Sequence, residues 1–122
     1  MVLNESPCPP LQVEVISELK SATGAHFDKI VQAVVSDSKR CISEILCAID
    51  NNDGEALFQS AHTLKSVTAQ IGAAQLVELA KKLEKNGKNG ELPSRSPLDN
   101  DLYGFLENVL RELKNFTSSE FK

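Results

Sequence analysis

The chain has no tryptophan, one tyrosine and three cysteines in 122 residues. Aromatic residues make up 5% of it, and no run alternates apolar with polar side chains over strand length. Strands draw heavily on aromatic and β-branched residues in such alternation, so a sheet-based fold has little material here. Long apolar runs are also missing, and with them any segment able to span a membrane. MVLNESPCPP has neither the basic start nor the apolar stretch of a secretory signal. There is no excess of basic charge: the formal net charge is −4, which excludes a broad nucleic-acid-binding surface. No glycine-rich nucleotide loop or kinase signature occurs. Cys8, Cys41 and Cys47 are odd in number and lack metal-ligand spacing, which implies reduced thiols and a cytoplasmic setting. Cys41 and Cys47 fall within an apolar helical pattern and read as small buried hydrophobes, while Cys8 falls in a flexible tail.

What is present is helix. Apolar residues form 41% of the chain and charged residues 25%, a balance that suits one soluble domain with one core. A tail over residues 1–9 leads into a short helix ending at Lys20, with Leu11, Val15, Ile16 and Leu19 apolar. Thr23-Gly24 breaks it. A long helix is expected from about Ala25 to Asn51, its stripe running from Phe27 through Val31, Val34, Val35, Ile42 and Ile45 to Ile49. Asn51-Asn52-Asp53-Gly54 is a turn, and Asp53 is placed to cap the next helix. That helix covers Ala56–Gly72, and another begins at Ala73 or Ala74 and stops at Asn86-Gly87. Residues 88–97 read as loop. A last helix spans about Leu98–Phe116, with a frayed tail over 118–122. The expected fold is all-α: an antiparallel four-helix bundle over residues 10–117, with the short N-terminal helix as a cap.

One residue does not fit the packing pattern. Leu57, Ala61, Leu64 and Ile71, with Thr68 among them, recur at three- and four-residue steps, and at about 100° per residue His62 points roughly 140° from Leu57. His62 therefore faces solvent or the edge of the core. Its neighbours at helical spacing are Phe58, Lys65, Ser66 and Ala69. An open imidazole can accept a phosphoryl group at one ring nitrogen if an acceptor on the other fixes the tautomer. Lys65, one turn on, is placed to hold phosphoryl oxygens, and the small Ser66 and Ala69 leave room for a large partner. No Glu-x-x-His arrangement or paired carboxylates accompany His62, so no metal site is expected. His26 has no sequence partner and reads as structural or solvent-facing.

The run His62-Thr63-Leu64-Lys65-Ser66-Val67-Thr68-Ala69-Gln70-Ile71-Gly72-Ala73 resembles the motif of the histidine-containing phosphotransfer (HPt) family, H-x-L-K-G-S/A-S/A-x-x-x-G-A. His62, Leu64, Lys65, Gly72 and Ala73 match; Leu76, Leu83-Glu84 and Gly87 continue the likeness. Ser66 stands where the family usually has glycine, and its hydroxyl can bond either a phosphoryl oxygen or the helix's own carbonyl. Val67 replaces a small polar residue and falls at the flank.

The resemblance implies a phosphorelay intermediate without kinase activity of its own. His62 would carry a phosphoryl group between aspartates of response-regulator receiver domains. A hybrid histidine kinase, in cis or in trans, is a further implied partner. Mg²⁺ would belong to the receiver, and this chain would need no cofactor. By the resemblance, Glu84 orients the imidazole; its position on the border of the stripe Leu76, Leu79, Ala80 and Leu83 agrees, although pairing with Lys81 or Lys88 is the alternative. Phe58, Ser66 and Ala69 would belong to the docking patch of a chain expected to be a monomer. The competing expectation is a helical adaptor that binds signalling partners and is never phosphorylated.

Overall fold

The longest helix is built from residues that favour helix weakly, so burial must hold it. A computed structural model describes residues 8–117 of the chain. It contains α1 (Val13–Thr23), a 3₁₀ turn (Gly24–His26), α2 (Phe27–Asp50), α3 (Gly54–Ala69), α4 (Ala74–Asn89) and α5 (Arg95–Leu113). Most of the expected tail over 1–9, and all of that over 118–122, lies outside the described residues; Cys8 itself is half-buried.

The β-branched side chains Val31, Val34, Val35, Ile42 and Ile45 all enter the core from α2. Their restricted χ1 costs helix propensity, and the apolar area they bury outweighs it. α2 packs on α3 and α5, α3 on α4, and α4 on α5, which closes an antiparallel four-helix bundle. Leu57, Leu64, Leu76, Leu102 and Leu113 are fully buried in its centre. Two hydroxyls share this interior, and each is satisfied within its own helix: Ser38 Oγ donates to Val34 O at 2.8 Å and Thr68 Oγ1 to Leu64 O at 2.7 Å.

The turns follow the chemistry of their residues. Asp53 caps α3, its side chain accepting from the Ala56 amide at 3.1 Å. α3 ends at Ala69, three residues before Gly72, and Gly72 then turns the chain at φ +70°. A Cβ there would lie 2.8 Å from Val15 Cβ, so the glycine also lets the N-terminal segment seat on the α3–α4 turn. The Gln12 amide donates to Gly72 O at 2.8 Å in the same place. At the other end of α1, Lys20 Nζ donates to Phe116 O at 2.7 Å. α1 thus covers one end of the bundle, as the sequence suggests for a capping helix.

Four expectations need correction, one being that the last helix, α5, starts at Arg95 inside the expected loop and ends at Leu113, short of Phe116. Cys47 is exposed rather than buried, and accepts a hydrogen bond from Asn51 Nδ2 at 3.4 Å. It lies about 240° around the helix from the fully buried Cys41, so its neighbours Leu46 and Ala48 enter the core from either side of it. Burial raises the Cys41 thiol pKa above its usual value. Gly87 does not stop α4, which continues to Asn89 and ends at Gly90 in the left-handed conformation. The first helix begins at Val13 and runs past Lys20 to Thr23; Leu11, although buried, precedes it.

Among the described residues, no helix is long and apolar enough to cross a membrane.

Candidate functional site

His62 is placed by α3 with its side chain 54% exposed, on the opposite side of the helix from the buried Leu57 and Leu64. Its partner comes from α4. His62 Nδ1 lies 2.6 Å from Glu84 Oε2, across 22 residues of sequence. Lys65, on the His62 helix and one turn further, donates from Nζ to the other oxygen, Oε1, at 2.6 Å. A single carboxylate therefore joins both α3 side chains. Glu84 is only 17% exposed and Lys65 29%, so this pair is shielded while the imidazole is open.

The electrostatics select the imidazole tautomer. The hydrogen bond from Lys65, then that from His62, lowers the Glu84 pKa below its ordinary value, against the opposing effect of burial. An ionised carboxylate only accepts hydrogen bonds, so the proton between it and the ring resides on Nδ1. In the neutral ring the lone pair is then on Nε2, which takes no partner among the described residues. The carboxylate meets the ring at Nδ1, which leaves Nε2 on the side of the ring away from Glu84.

The surroundings are small or apolar. The Phe58 ring stacks on the imidazole, with centroids 6.1 Å apart and planes at 17°. Phe58 itself is half-buried at the helix edge. Ser66 and Ala69 are exposed on the His62 side of α3. The Ser66 hydroxyl donates to His62 O at 3.2 Å, which settles its resting partner as the helix's own carbonyl. Val67, expected at the flank, is half-buried against the core. His26 is exposed at the start of α2, far from this arrangement in sequence and on another helix.

The sequence points to His62, Lys65 and Glu84, and the structure adds the direct bond from Lys65 to Glu84. The suggested alternative for Glu84, pairing along α4, is not what forms: Lys81 pairs with Glu78 at 3.2 Å. Sequence reading also missed the packing of Gly87 against α3. A Cβ on Gly87 would come within 2.6 Å of the Phe58 amide nitrogen and 2.7 Å of Gly54 O. The signal in the sequence is a glycine three residues after Glu84, which reads there as a helix stop. No group of three or more His, Cys, Asp or Glu side chains converges to hold a metal among the described residues.

The family model described as Hpt domain matches residues 29–116 of the sequence. No curated protein matches it. Among solved structures, the crystal structure of histidine-containing phosphotransfer protein B (HptB) from Pseudomonas aeruginosa PAO1 is similar, with a TM-score of 0.81 and 24% identity. The match covers 88% of this chain and 93% of that one, and the likeness is one of fold.

Proposed function

The chain belongs to the Hpt domain family, and from that premise we propose that His62 carries a phosphoryl group between aspartates of response-regulator receiver domains. The observation that supports this most is the 2.6 Å contact of Glu84 with Nδ1 of an imidazole whose side chain is 54% exposed. Family membership supports a general role in phosphorelay histidine phosphotransfer, and we read the domain as a carrier. The residue roles and the receiver-to-receiver direction are our reading.

In the proposed step, the His62 Nε2 lone pair attacks the phosphorus of a receiver's aspartyl phosphate. The N–P bond forms as the P–O bond to the aspartate breaks, and the receiver regains its carboxylate. Nδ1–H, held by Glu84, supports the positive charge that develops on the ring. The Lys65 ammonium has three N–H donors, and Glu84 engages one. The others are available to the phosphoryl oxygens, whose charge must be neutralised for transfer. Mg²⁺ comes with the receiver. The step reverses onto a second receiver aspartate.

Phe58, Ser66 and Ala69 form the docking surface around the imidazole, with an apolar centre and polar rim. The affinity is moderate, since the receiver must leave after each transfer. The reading includes a monomer working in the cytoplasm, fed by a hybrid histidine kinase in cis or in trans.

Incubation with a phosphorylated receiver tests the proposal. The expected product is an acid-labile, base-stable label on the wild-type chain that is absent from His62→Gln. Binding without label, unchanged by His62→Gln, makes the domain an adaptor instead.

A further inference from the structure

Gly87 lies inside α4, where glycine weakens a helix relative to alanine, and it is buried. The Cβ that alanine would add meets the Phe58 nitrogen at 2.6 Å, Gly54 O at 2.7 Å and Phe58 Cα at 2.9 Å. All three are main-chain atoms of α3, so no side-chain rotation relieves the overlap. From the other side, a Cβ on Gly54 would lie 3.1 Å from Gly87 O. The two helices touch backbone to backbone at this point.

That contact is one turn from the site on both helices. Phe58 precedes His62 by four residues and Gly87 follows Glu84 by three, so each pair shares a face of its helix. We propose that Gly87 is a positioning residue for His62: its bare backbone sets the α3–α4 separation at which Glu84 reaches Nδ1. The functional consequence rests on the reading of His62 as phosphoacceptor.

The distances make the coupling sensitive. Ordinary van der Waals contact for a Cβ begins at 3.4 Å, so a methyl at position 87 must push α3 and α4 apart by roughly 0.5–0.8 Å there. Both bonds to Glu84 cross the same interface, from His62 and from Lys65, and both start at 2.6 Å. N–H···O bonds span only about 2.7–3.2 Å, so a displacement of that size takes up the range in which they are strong. With the Glu84 contact loosened, Nδ1 no longer holds its proton in preference to Nε2, and the lone pair moves off the outward nitrogen. An alanine at position 87 favours the isolated helix, so a loss at the site cannot come from weaker helix propensity.

The test uses Gly87→Ala and Gly54→Ala in the full chain. Nitrogen NMR of the His62 ring reads the tautomer, circular dichroism reads folding, and transfer from a phosphorylated receiver reads function. Wild type is expected as the Nδ1–H tautomer. Gly87→Ala is expected to shift towards Nε2–H and to lose transfer by about tenfold or more, as metal-ligating histidines lose function without the partner of their other ring nitrogen. Gly54→Ala, with its milder 3.1 Å overlap, is expected to move the same way by less. If Gly87→Ala fails to fold, Gly54→Ala carries the comparison. An unchanged tautomer in the folded variant overturns the proposal whatever the transfer rate. A wild type that takes no label removes the phosphocarrier reading, and the tautomer still decides the role of Gly87.

Discussion

Lys65 Nζ donates to Glu84 Oε1 at 2.6 Å, while the other oxygen of that carboxylate holds His62. The lysine and the imidazole are thereby coupled through a group on a different helix. The Lys65 hydrogen bond lowers the Glu84 pKa and so favours its ionised form, which accepts from Nδ1–H. In the proposed function the lysine thus acts twice, on the carboxylate at rest and on the phosphoryl group during transfer.

Glu84→Ala removes the acceptor from both partners. Phosphotransfer to His62 is expected to fall by roughly 10-fold or more, the scale on which metal-ligating histidines depend on the partner of their other ring nitrogen. Rapid-quench labelling would measure it. Transfer at the wild-type rate would show that Glu84 does not orient the ring.

Acid should weaken the fold through the same carboxylate. The pKa of Glu84 is lowered in the folded state, first by Lys65 and then by His62, from an ordinary value of 4.5. Its contribution to stability is therefore complete above the unfolded value and is lost as pH falls through the lower folded value. Denaturant midpoints are expected to drop as the pH falls below the ordinary carboxylate value of 4.5, and less steeply in Glu84→Gln. Parallel profiles for the two proteins would mean that Glu84 contributes no linkage.

Lys65→Ala is expected to slow transfer while leaving helicity intact, because the side chain is part-exposed and lies outside the core. The same variant should let the Glu84 titration rise towards its ordinary value, seen by carboxyl carbon NMR. A loss of helicity as large as that from truncating a core leucine would make Lys65 a structural residue.

Leu64 is two residues from His62 and fully buried. Leu64→Ala is expected to destabilise by about 2–5 kcal/mol, from lost burial and the cavity left behind. Urea unfolding checks this, and a near-zero change would contradict the burial that turns His62 outward.

Asp53→Ala removes the side-chain cap of α3. A loss of about 1 kcal/mol is expected in the same urea experiment. No change would indicate that the Ala56 amide finds water as readily as the carboxylate.

Much of this arrangement was legible along the chain. The spacing of Leu57, Ala61, Leu64 and Thr68 defines a helix face, and His62 falls outside it; all four are buried and His62 is exposed. Asp53 reads as a cap and is one. Glu84 was singled out by resemblance and by its place at the border of an apolar stripe, and it reaches His62. Other features were not legible. Cys47 sits between the buried Leu46 and Ala48, and how wide an arc of α2 its neighbours cover decides that it is left in solvent. Gly87 has the same identity whether it ends a helix or admits a second backbone, and sequence alone favours the first meaning.

Periodicity, capping residues and turn chemistry are local, acting over a few residues, and they suffice to set the helices, their order and the outward direction of the imidazole. How near α3 comes to α4 is a property of two surfaces packed together. It depends on the absence of a side chain at Gly87 against the Phe58 backbone, and it decided that one carboxylate reaches both His62 and Lys65 at 2.6 Å. A hydrogen bond tolerates only tenths of an ångström, and tertiary packing alone sets distances between helices to that tolerance.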